Sequence, residues 1–480
     1  MYETSGTAAA EQLLRLKPEK RPDAVFSAND TTAVHCMIRL KAAGIRIPEA
    51  IKFAGFNNDQ ISKMIESSIN TVIYSGYHTG ETAVSSLINH LKGISSIKTT
   101  NTIYLRTDLV IRESSFKKKS LQLNFFCDFY VTDCIMKLKK DITIYDIALK
   151  LALSSATVSR GLQNNPAINK NTRKKIQETA RELGYRHNTF ASSLRKQKTN
   201  TIGIIVHELK SNFMTSVLAG IEKVTTQAGY DLIIAHSSES YEKETANAIN
   251  LFHKRVDGLI ASLAFDTQGL DHYKLYEEKG IPIIFFDRVE ENSQSTKVII
   301  DNYKCGYDAT RHLIEQGCKR IILVTANLKR NVYAQRHKGY LDALHDNNIA
   351  YNKDWVLIKD LSEQCGVDAA MEILKMNPRP DGAFITNDFS AAVCMQTLKE
   401  HGINIPGDIA IVGFNNDAIS KIIEPKLTTI DYPGIDMGEI AARNLINHLK
   451  GITDIKHTNT IVIRSELIIR GSSLKKQSTL

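Results

Sequence analysis

The sequence predicts an α/β protein, with a small all-α module ahead of a two-lobed body built on parallel sheets. Three observations carry this reading. From residue 201 onward, short apolar runs alternate with amphipathic helical stretches. Residues 136–200 gather the chain's positive charge onto a segment with helical apolar spacing. A long stretch near the N-terminus also recurs near the C-terminus at a nearly constant spacing. At 480 residues and 42% hydrophobic composition, the chain can bury large cores, and its length suggests about three domains.

In the body, the apolar runs "TIGIIV", "DLIIAHS", "VDGLIASL", "IPIIFFD" and "VIID" are separated by helical stretches such as "FMTSVLAGIEKVTTQAGY" and one near 241–254. The cycle restarts with helices near 303–316 and 333–347, and the runs "KRIILVT" and "DGAFITND". It closes with a helix at 389–401, the run "IAIVGFN" and a helix at 436–449. Apolar runs alternating with helices imply parallel strands buried on both faces. About ten strands would make two sheets. A ligand would bind between the lobes, at the carboxyl ends of the strands.

The repeat is extensive. "RPDAVFSAND" at 21–30 pairs with "RPDGAFITND" at 379–388, and "AGIRIPEAIKFAGFNND" at 43–59 with "HGINIPGDIAIVGFNND" at 401–417. "LINHLKGI" is identical at 87–94 and 445–452. The offset is 358 residues throughout, and 360 before the "RPD". Residues 1–120 therefore read as a partial duplicate of the C-terminal part of the body. They lack the strands needed to complete their own lobes, so sheet edges and apolar faces are expected to stay open, with marginal folding, exchange against 361–478 and no independent function. Residues 121–135, "LQLNFFCDFYVTDCI", have neither amphipathic period nor turn chemistry and read as a spacer. Met136 follows, leaving two alternatives: a product that includes the first 135 residues, or one that starts at Met136.

The basic module holds 14 Lys/Arg against 4 Asp/Glu, a balance of +10 within a chain of net charge +9. A basic module on a near-neutral body is the footprint of a nucleic-acid binder. Thr143 and Asp146 are spaced as a capping box, followed by an apolar face of Ile144, Ile147, Ala148 and Leu151. Ser154 caps a second helix, Asn169 a third, and Gly184 suits the end of the third. Two short helices joined by a tight turn and braced by a third make a helix-turn-helix. Ser155, Ala156, Ser159 and Arg160 then face the major groove, where Arg160 can reach a guanine edge. Thr143, Tyr145, Ser154 and Thr157 are placed for phosphate contacts.

With "TIYDIALKLALSSATVSRGL" followed by "NKNTRKKIQETARELGYRHNTFASSLRKQKTNTIGII", residues 136–480 closely resemble the lac repressor family of bacterial transcription regulators. The resemblance implies a helix-turn-helix DNA-binding domain at 136–187, a hinge helix and linker at 188–200, and an effector-binding domain at 201–480. In that hinge, Asn188 would be the cap and Leu194 a wedge inserted into the minor groove. Ala152 stands where the family often has Gly, and His187 where it often has Pro. The body is expected to resemble a periplasmic sugar-binding protein, giving an α/β fold class with a periplasmic-binding-protein-like two-lobed body. The positions matching its ligand contacts are His207, Phe213, Asp287, Arg336, Asn387, Asp388 and Asn415. Their chemistry suits a polyol, since carboxylates accept from hydroxyls, an arginine donates in a fixed fork and an aromatic packs on a ring face. Each also has a plainer reading: Asp or Asn at a strand end is often a helix cap. Many family members carry Asp at the position of Asn415.

No G-x-S-x-G elbow, P-loop or H-E-x-x-H motif occurs, so neither an enzyme nor a cofactor is expected. The seven cysteines form no CxxC pair, and no apolar run reaches 18 residues, so neither a zinc site nor a membrane span is expected. The expected protein is a cytoplasmic, nucleoid-associated regulator whose partners are double-stranded operator DNA, a small-molecule effector such as a sugar, and a second copy of itself. The C-terminus has no leucine heptad, which favours a dimer over a tetramer. The alternative is a sugar-binding protein without DNA regulation.

Overall fold

A computed structural model describes residues 2–65, 67–92, 94, 103, 105, 107–115, 142–185, 198–454 and 460–475. They fall into two compact units. One holds the described residues of Met1–Ser75, Thr107–Phe125 and Asn200–Leu480, the other those of Gly76–Arg106 and Phe126–Thr199.

The N-terminal segment runs through α1 (Tyr2–Arg15), β1 (Ala24–Phe26), α2 (Asp30–Ala42), β2 (Lys52–Asn57), α3 (Ile61–Met64), β3 (Asn70–Ile73), α4 (Gly76–Leu91) and β4 (Leu109–Val110). Its sheet has the order β1-β2-β3-β4, parallel except at β4.

The basic segment forms α5 (Ile144–Leu151), α6 (Ser155–Leu162) and α7 (Lys170–Leu183). Each cap reads directly from the sequence. The Asp146 carboxylate accepts from the Thr143 amide at 2.7 Å, completing the capping box. Ser154 accepts from the Thr157 amide at 3.1 Å, and Asn169 from the Asn171 amide at 2.9 Å. Ala152 sits at φ 51, the left-handed conformation that glycine takes more cheaply. Ile147, Ala148, Val158, Ile176 and Ala180 close a small core.

In the body, β5 (Thr201–Val206), α8 (Asn212–Ala228), β6 (Asp231–His236), α9 (Tyr241–His253), β7 (Gly258–Ala261), α10 (Lys274–Glu278), β8 (Ile283–Phe286) and β9 (Thr296–Ile300) build the first lobe. The second lobe contains α11 (Asn302–Glu315), β10 (Ile321–Thr325), α12 (Asn331–Asp346), β11 (Val356–Ile358), α13 (Glu363–Lys375), β12 (Gly382–Ile385), α14 (Asp388–Glu400), β13 (Ala410–Asn415) and β14 (Thr428–Asp431). The chain then returns to the first lobe with α15 (Gly434–Leu449) and β15 (Thr460–Ile463), and ends in the second with β16 (Leu467–Ile468). The sheets have the orders β15-β9-β8-β7-β5-β6 and β11-β10-β12-β13-β14-β16. All neighbours are parallel except β14 with β16. Strands β11, β14, β15 and β16 add to those named from the sequence. β11, β15 and β16 are mostly apolar but only two to four residues long, and β14 is half threonine, so none stands out as a run.

Each lobe is covered by a helix pair that crosses at paired glycines. A methyl carbon on Gly220 of α8 would fall 2.2 Å from the Ile435 carbonyl, and one on Gly438 of α15 would fall 2.1 Å from the Val217 carbonyl. In the second lobe, a methyl carbon on Gly306 of α11 would fall 2.2 Å from the Arg336 carbonyl, and one on Gly339 of α12 would fall 2.1 Å from the Tyr303 carbonyl. No larger residue fits these positions without separating the helices.

From α13 onward, the N-terminal segment repeats the second lobe in order. β1, β2, β3 and β4 stand 358 residues ahead of β12, β13, β14 and β16. A buried latch is also repeated. Asp388 accepts from the Asp417 amide at 2.8 Å and the Thr429 hydroxyl at 2.6 Å. Asp30 accepts from the Asp59 amide at 2.8 Å and the Thr71 hydroxyl at 2.8 Å. Arg470 reaches Asn416, Ser420 and the Leu427 carbonyl, as Arg112 reaches Asn58, Ser62 and the Ile69 carbonyl. What the copy lacks is cover. With no counterpart of β10, Phe26 on β1 is 67% exposed, whereas its twin Phe384 is fully buried. On α4, Val84, Leu87 and Leu91 are exposed, whereas Ala442 and Leu445 of α15 are fully buried.

The two copies of one glycine should therefore behave oppositely. Gly438→Ala is expected to lower stability by about 1–3 kcal/mol through overpacking. Gly80→Ala, with nothing within 4 Å of the added carbon, should be neutral or stabilising by up to about 1 kcal/mol. Thermal unfolding of the two variants checks this, and equal losses would contradict it.

The Asp388 latch makes a second prediction. Burial pushes this carboxyl up from its ordinary 3.8 to about 8, with the nearby Asp417 adding to the effect. A carboxyl raised on folding contributes stability in full below its unfolded value and loses that contribution as pH rises through its folded value. Asp388→Asn removes this dependence. The stability gap between wild type and variant should shrink between about pH 4 and about pH 8. Calorimetry across that range tests it, and a constant gap would rule it out.

Candidate functional site

The helix-turn-helix presents its sequence-predicted contacts as a row along α6. Ala156 and Arg160 are exposed, and Ser155, Thr157 and Ser159 are half-buried. Thr143, Tyr145 and Ser154 are exposed beside them. The Ser154 and Thr157 hydroxyls lie 2.9 Å apart, so the cap that starts the helix also fixes two polar groups at its tip. Asn188 and Leu194 lie outside the described residues.

In the body, the parallel sheets turn their carboxyl ends towards the cleft. His207 follows β5, Asp287 follows β8, and Asn415 ends β13, while Arg336 lies on α12. These residues meet around an aromatic pair. Phe213, on the first turn of α8, stacks on Tyr432 with ring centroids 4.0 Å apart. Phe414, at the end of β13, meets Tyr432 edge-on at 5.6 Å. The Arg336 guanidinium lies 3.5 Å above the Phe414 ring centroid and donates from Nε to Asn302 at 2.8 Å. The Tyr432 hydroxyl donates to the Asp287 carboxylate. Burial raises the Asp287 carboxyl above its usual range, while the neighbouring Arg288, Tyr432 and Arg336 pull it back.

A second cationic group sits next to this set. Arg288 lies 4.0 Å above the Phe265 ring and is paired with Glu239 at 2.7 Å. It also donates to the Tyr333 hydroxyl at 3.3 Å. His207 stands behind it, with Nδ1 at 3.0 Å from Ser262. Burial, then the charges of Arg288 and His236, hold His207 well below the ordinary histidine range, so it is neutral.

Several of these bonds join the two lobes. Asn331 donates to the Asp287 carbonyl at 3.1 Å and accepts from the Val289 amide at 3.0 Å. Arg330 donates to the Thr267 carbonyl at 2.6 Å. Asp287, from the first lobe, is thus held twice from outside it, through its carbonyl by Asn331 of the second lobe and through its carboxylate by Tyr432 of the crossover.

A pocket of about 620 Å³ opens beside the aromatic pair, lined by Asn212, Phe213, Ser216, Asn415, Asp431 and Tyr432, among others. The structure therefore brings Phe213, Asp287, Arg336 and Asn415 together around Tyr432, with His207 one contact further out. It does not bring Asn387 and Asp388 there. Asn387 caps α14 by accepting from the Ser390 amide at 3.0 Å. Both Asp388 oxygens are used by the buried latch, and the same latch persists around Asp30 in a copy that lacks strands β5 to β9 of the first lobe. For Asn387 the cap reading describes the geometry, and for Asp388 the geometry is that of a buried latch. Sequence reasoning missed Tyr432, Phe414, Tyr333 and Arg288. Their only signal was position, "DY" after a strand and an arginine next to Asp287.

Among the described residues no group of acidic, histidine or cysteine side chains is arranged to hold a metal, and no helix is long and apolar enough to cross a membrane. Residues 199–471 match the family model for periplasmic binding proteins and the sugar-binding domain of the LacI family. Residues 143–188 match that for bacterial regulatory proteins of the lacI family, and residues 2–115 a periplasmic binding protein-like domain. Catabolite control protein A of Priestia megaterium is 31% identical over 310 residues, covering 64% of this chain and 93% of that protein. The HTH-type transcriptional regulator RegA of Clostridium saccharobutylicum is 31% identical over 334 residues, covering 69% and 99%. Among solved structures, a transcriptional regulator CelR–cellobiose complex superposes with a TM-score of 0.52 at 25% identity, covering 69% of this chain and 99% of that one. The lac repressor dimer bound to operator superposes with a TM-score of 0.63 at 23% identity, covering 70% and 100%, a likeness of fold. The chain thus belongs to the lacI family of bacterial regulatory proteins, as a DNA-binding transcriptional regulator and not an enzyme.

Proposed function

We propose that residues 136–187 read one half of a pseudo-palindromic operator, that 188–200 form a hinge on the DNA, and that 201–480 bind a sugar or related small polar ligand that sets operator affinity. On the operator it acts as a dimeric repressor, in the cytoplasm on the nucleoid. Residues 1–120 are a partial duplicate of the effector domain, with 121–135 as spacer. The observation that carries the ligand reading is the Asp287–Tyr432–Phe213 chain of contacts. It joins an acceptor and a flat apolar face of the first lobe through a hydroxyl of the crossover, with Arg336 of the second lobe beside it. A polyol offers hydroxyls to Asp287, Arg336 and Asn415, and a ring face to Phe213. By binding the closed lobes better than the open ones, such a ligand would shift their geometry, and DNA affinity with it. The CelR–cellobiose complex and the ribose operon repressor of Haemophilus influenzae, 28% identical over 330 residues, are named for sugars and support this class of ligand.

In the DNA module, Arg160 supplies the direct readout and Ser155, Ala156 and Ser159 the surrounding contacts. Thr143, Tyr145, Ser154 and Thr157 hold phosphates, Asn188 caps the hinge helix and Leu194 wedges the central step.

Two measurements test the reading. A duplex selected by the full chain from a randomised pool should lose affinity steeply with salt. Arg160→Ala should cost about 1–3 kcal/mol on that duplex and relax the preference for guanine. Failure to select any duplex would defeat the operator reading. In a thermal-shift screen of sugars and nucleosides, a sugar should raise the unfolding temperature of wild type, and Arg336→Ala should abolish that rise. A response to nucleosides alone would discard the sugar assignment.

A further inference from the structure

The N-terminal segment does not merely resemble the second lobe, it packs against it. Met64, at the end of α3, is only 8% exposed and lies in the apolar cluster of the second lobe with Ile419 and Ile423. Ile422, from that lobe, is 3% exposed and lies in the segment's own cluster with Phe53 and Ile69. Ile61 packs on both clusters. Lys63 approaches Glu363 at 3.7 Å.

The repeat gives this contact a specific form. At the offset of 358, Met64 is the twin of Ile422, Ile61 of Ile419, and Ile65 of Ile423. The twin residue on each side inserts into the cluster of the other. That reciprocity is the signature of an isologous, two-fold contact between equal surfaces. The second surface here comes from a duplicated piece of the same chain. An intact second copy of the body carries the same surface, with Ile422 in place of Met64, two apolar side chains of similar size.

We propose that residues 1–75 are a built-in substitute for a second subunit, covering in cis the face around Ile419, Ile422 and Ile423 through which two bodies would pair. The segment and a second copy cannot occupy that face together. Pairing of two chains through it, and with it tight binding to a two-half-site operator, requires the segment to leave. The operator consequence rests on the dimeric-regulator reading above. The occupied face does not.

Sedimentation velocity on the full chain provides the test. Wild type should run as a single chain of 53.6 kDa. Met64→Glu, which places a charge in the second lobe's cluster, should release the segment and double the mass. Ile422→Glu spoils both pairings and should leave a single chain. Because Met64→Glu could misfold, a milder series runs beside it. Lys63→Glu should shift the chain towards the doubled mass, and adding Glu363→Lys should return it to a single chain. A wild type already at twice the chain mass, or a Met64→Glu chain that stays single with its segment released from protease protection, would overturn the proposal. On the selected duplex, Met64→Glu should bind roughly 10²-fold more tightly than wild type, and equally on a single half-site. If no duplex is ever selected, the regulator reading fails while the mass series still decides the substitute-subunit proposal.

Discussion

The crossing of α8 and α15 at Gly220 and Gly438 is the contact on which the rest of the body depends. It lets two helix backbones touch, so the chain can return from the second lobe and cover the first sheet. The same approach continues to the cleft. A methyl carbon on Gly434 would fall 2.9 Å from the Phe213 carbonyl, so the helix starts pressed against the residue that stacks on Tyr432. Without this closeness the Phe213–Tyr432 pair could not form, and Tyr432 would not be held against Asp287. The packing that stabilises the lobes thus also builds the site.

The duplicated segment separates structural residues from cleft residues. It lacks strands β5 to β9 of the first lobe, and so has no cleft, yet it retains the Asp30 latch and the Arg112 network in the geometry of Asp388 and Arg470. What persists without a cleft is there for the fold. What the segment lacks, cover for Phe26 and for α4, shows how much of the body's burial comes from strands β10 and β11 and from the first lobe. A parallel sheet buried on both faces cannot be cut without exposing apolar surface.

The same comparison changes the meaning of the twice-occurring "GFNND". Asn415 borders a pocket with Phe213 and Tyr432, whereas Asn57 has Tyr74 as the counterpart of Tyr432 but no counterpart of Phe213. Identical residues acquire different surroundings because the rest of the chain supplies different neighbours.

The sequence by itself determined the local structure. Caps at Thr143, Ser154 and Asn169 and the alternation of apolar runs and helices are short-range patterns, the offset of 358 is a direct match of two stretches of text, and each reappears in the structure. It also placed Phe213, Asp287, Arg336 and Asn415 at strand ends and helix starts. Only the tertiary structure decided which polar residues at such positions meet the Phe213–Tyr432 pair. Asp388 and Asp287 look alike in sequence, each following an apolar run. Asp388 is buried against Thr429 and the Asp417 amide, while Asp287 meets Tyr432 from the crossover. The same holds for Tyr432 itself and for the reciprocal contact of Met64 with Ile422. Partners far apart in the chain leave no periodicity, and folding alone brings them together.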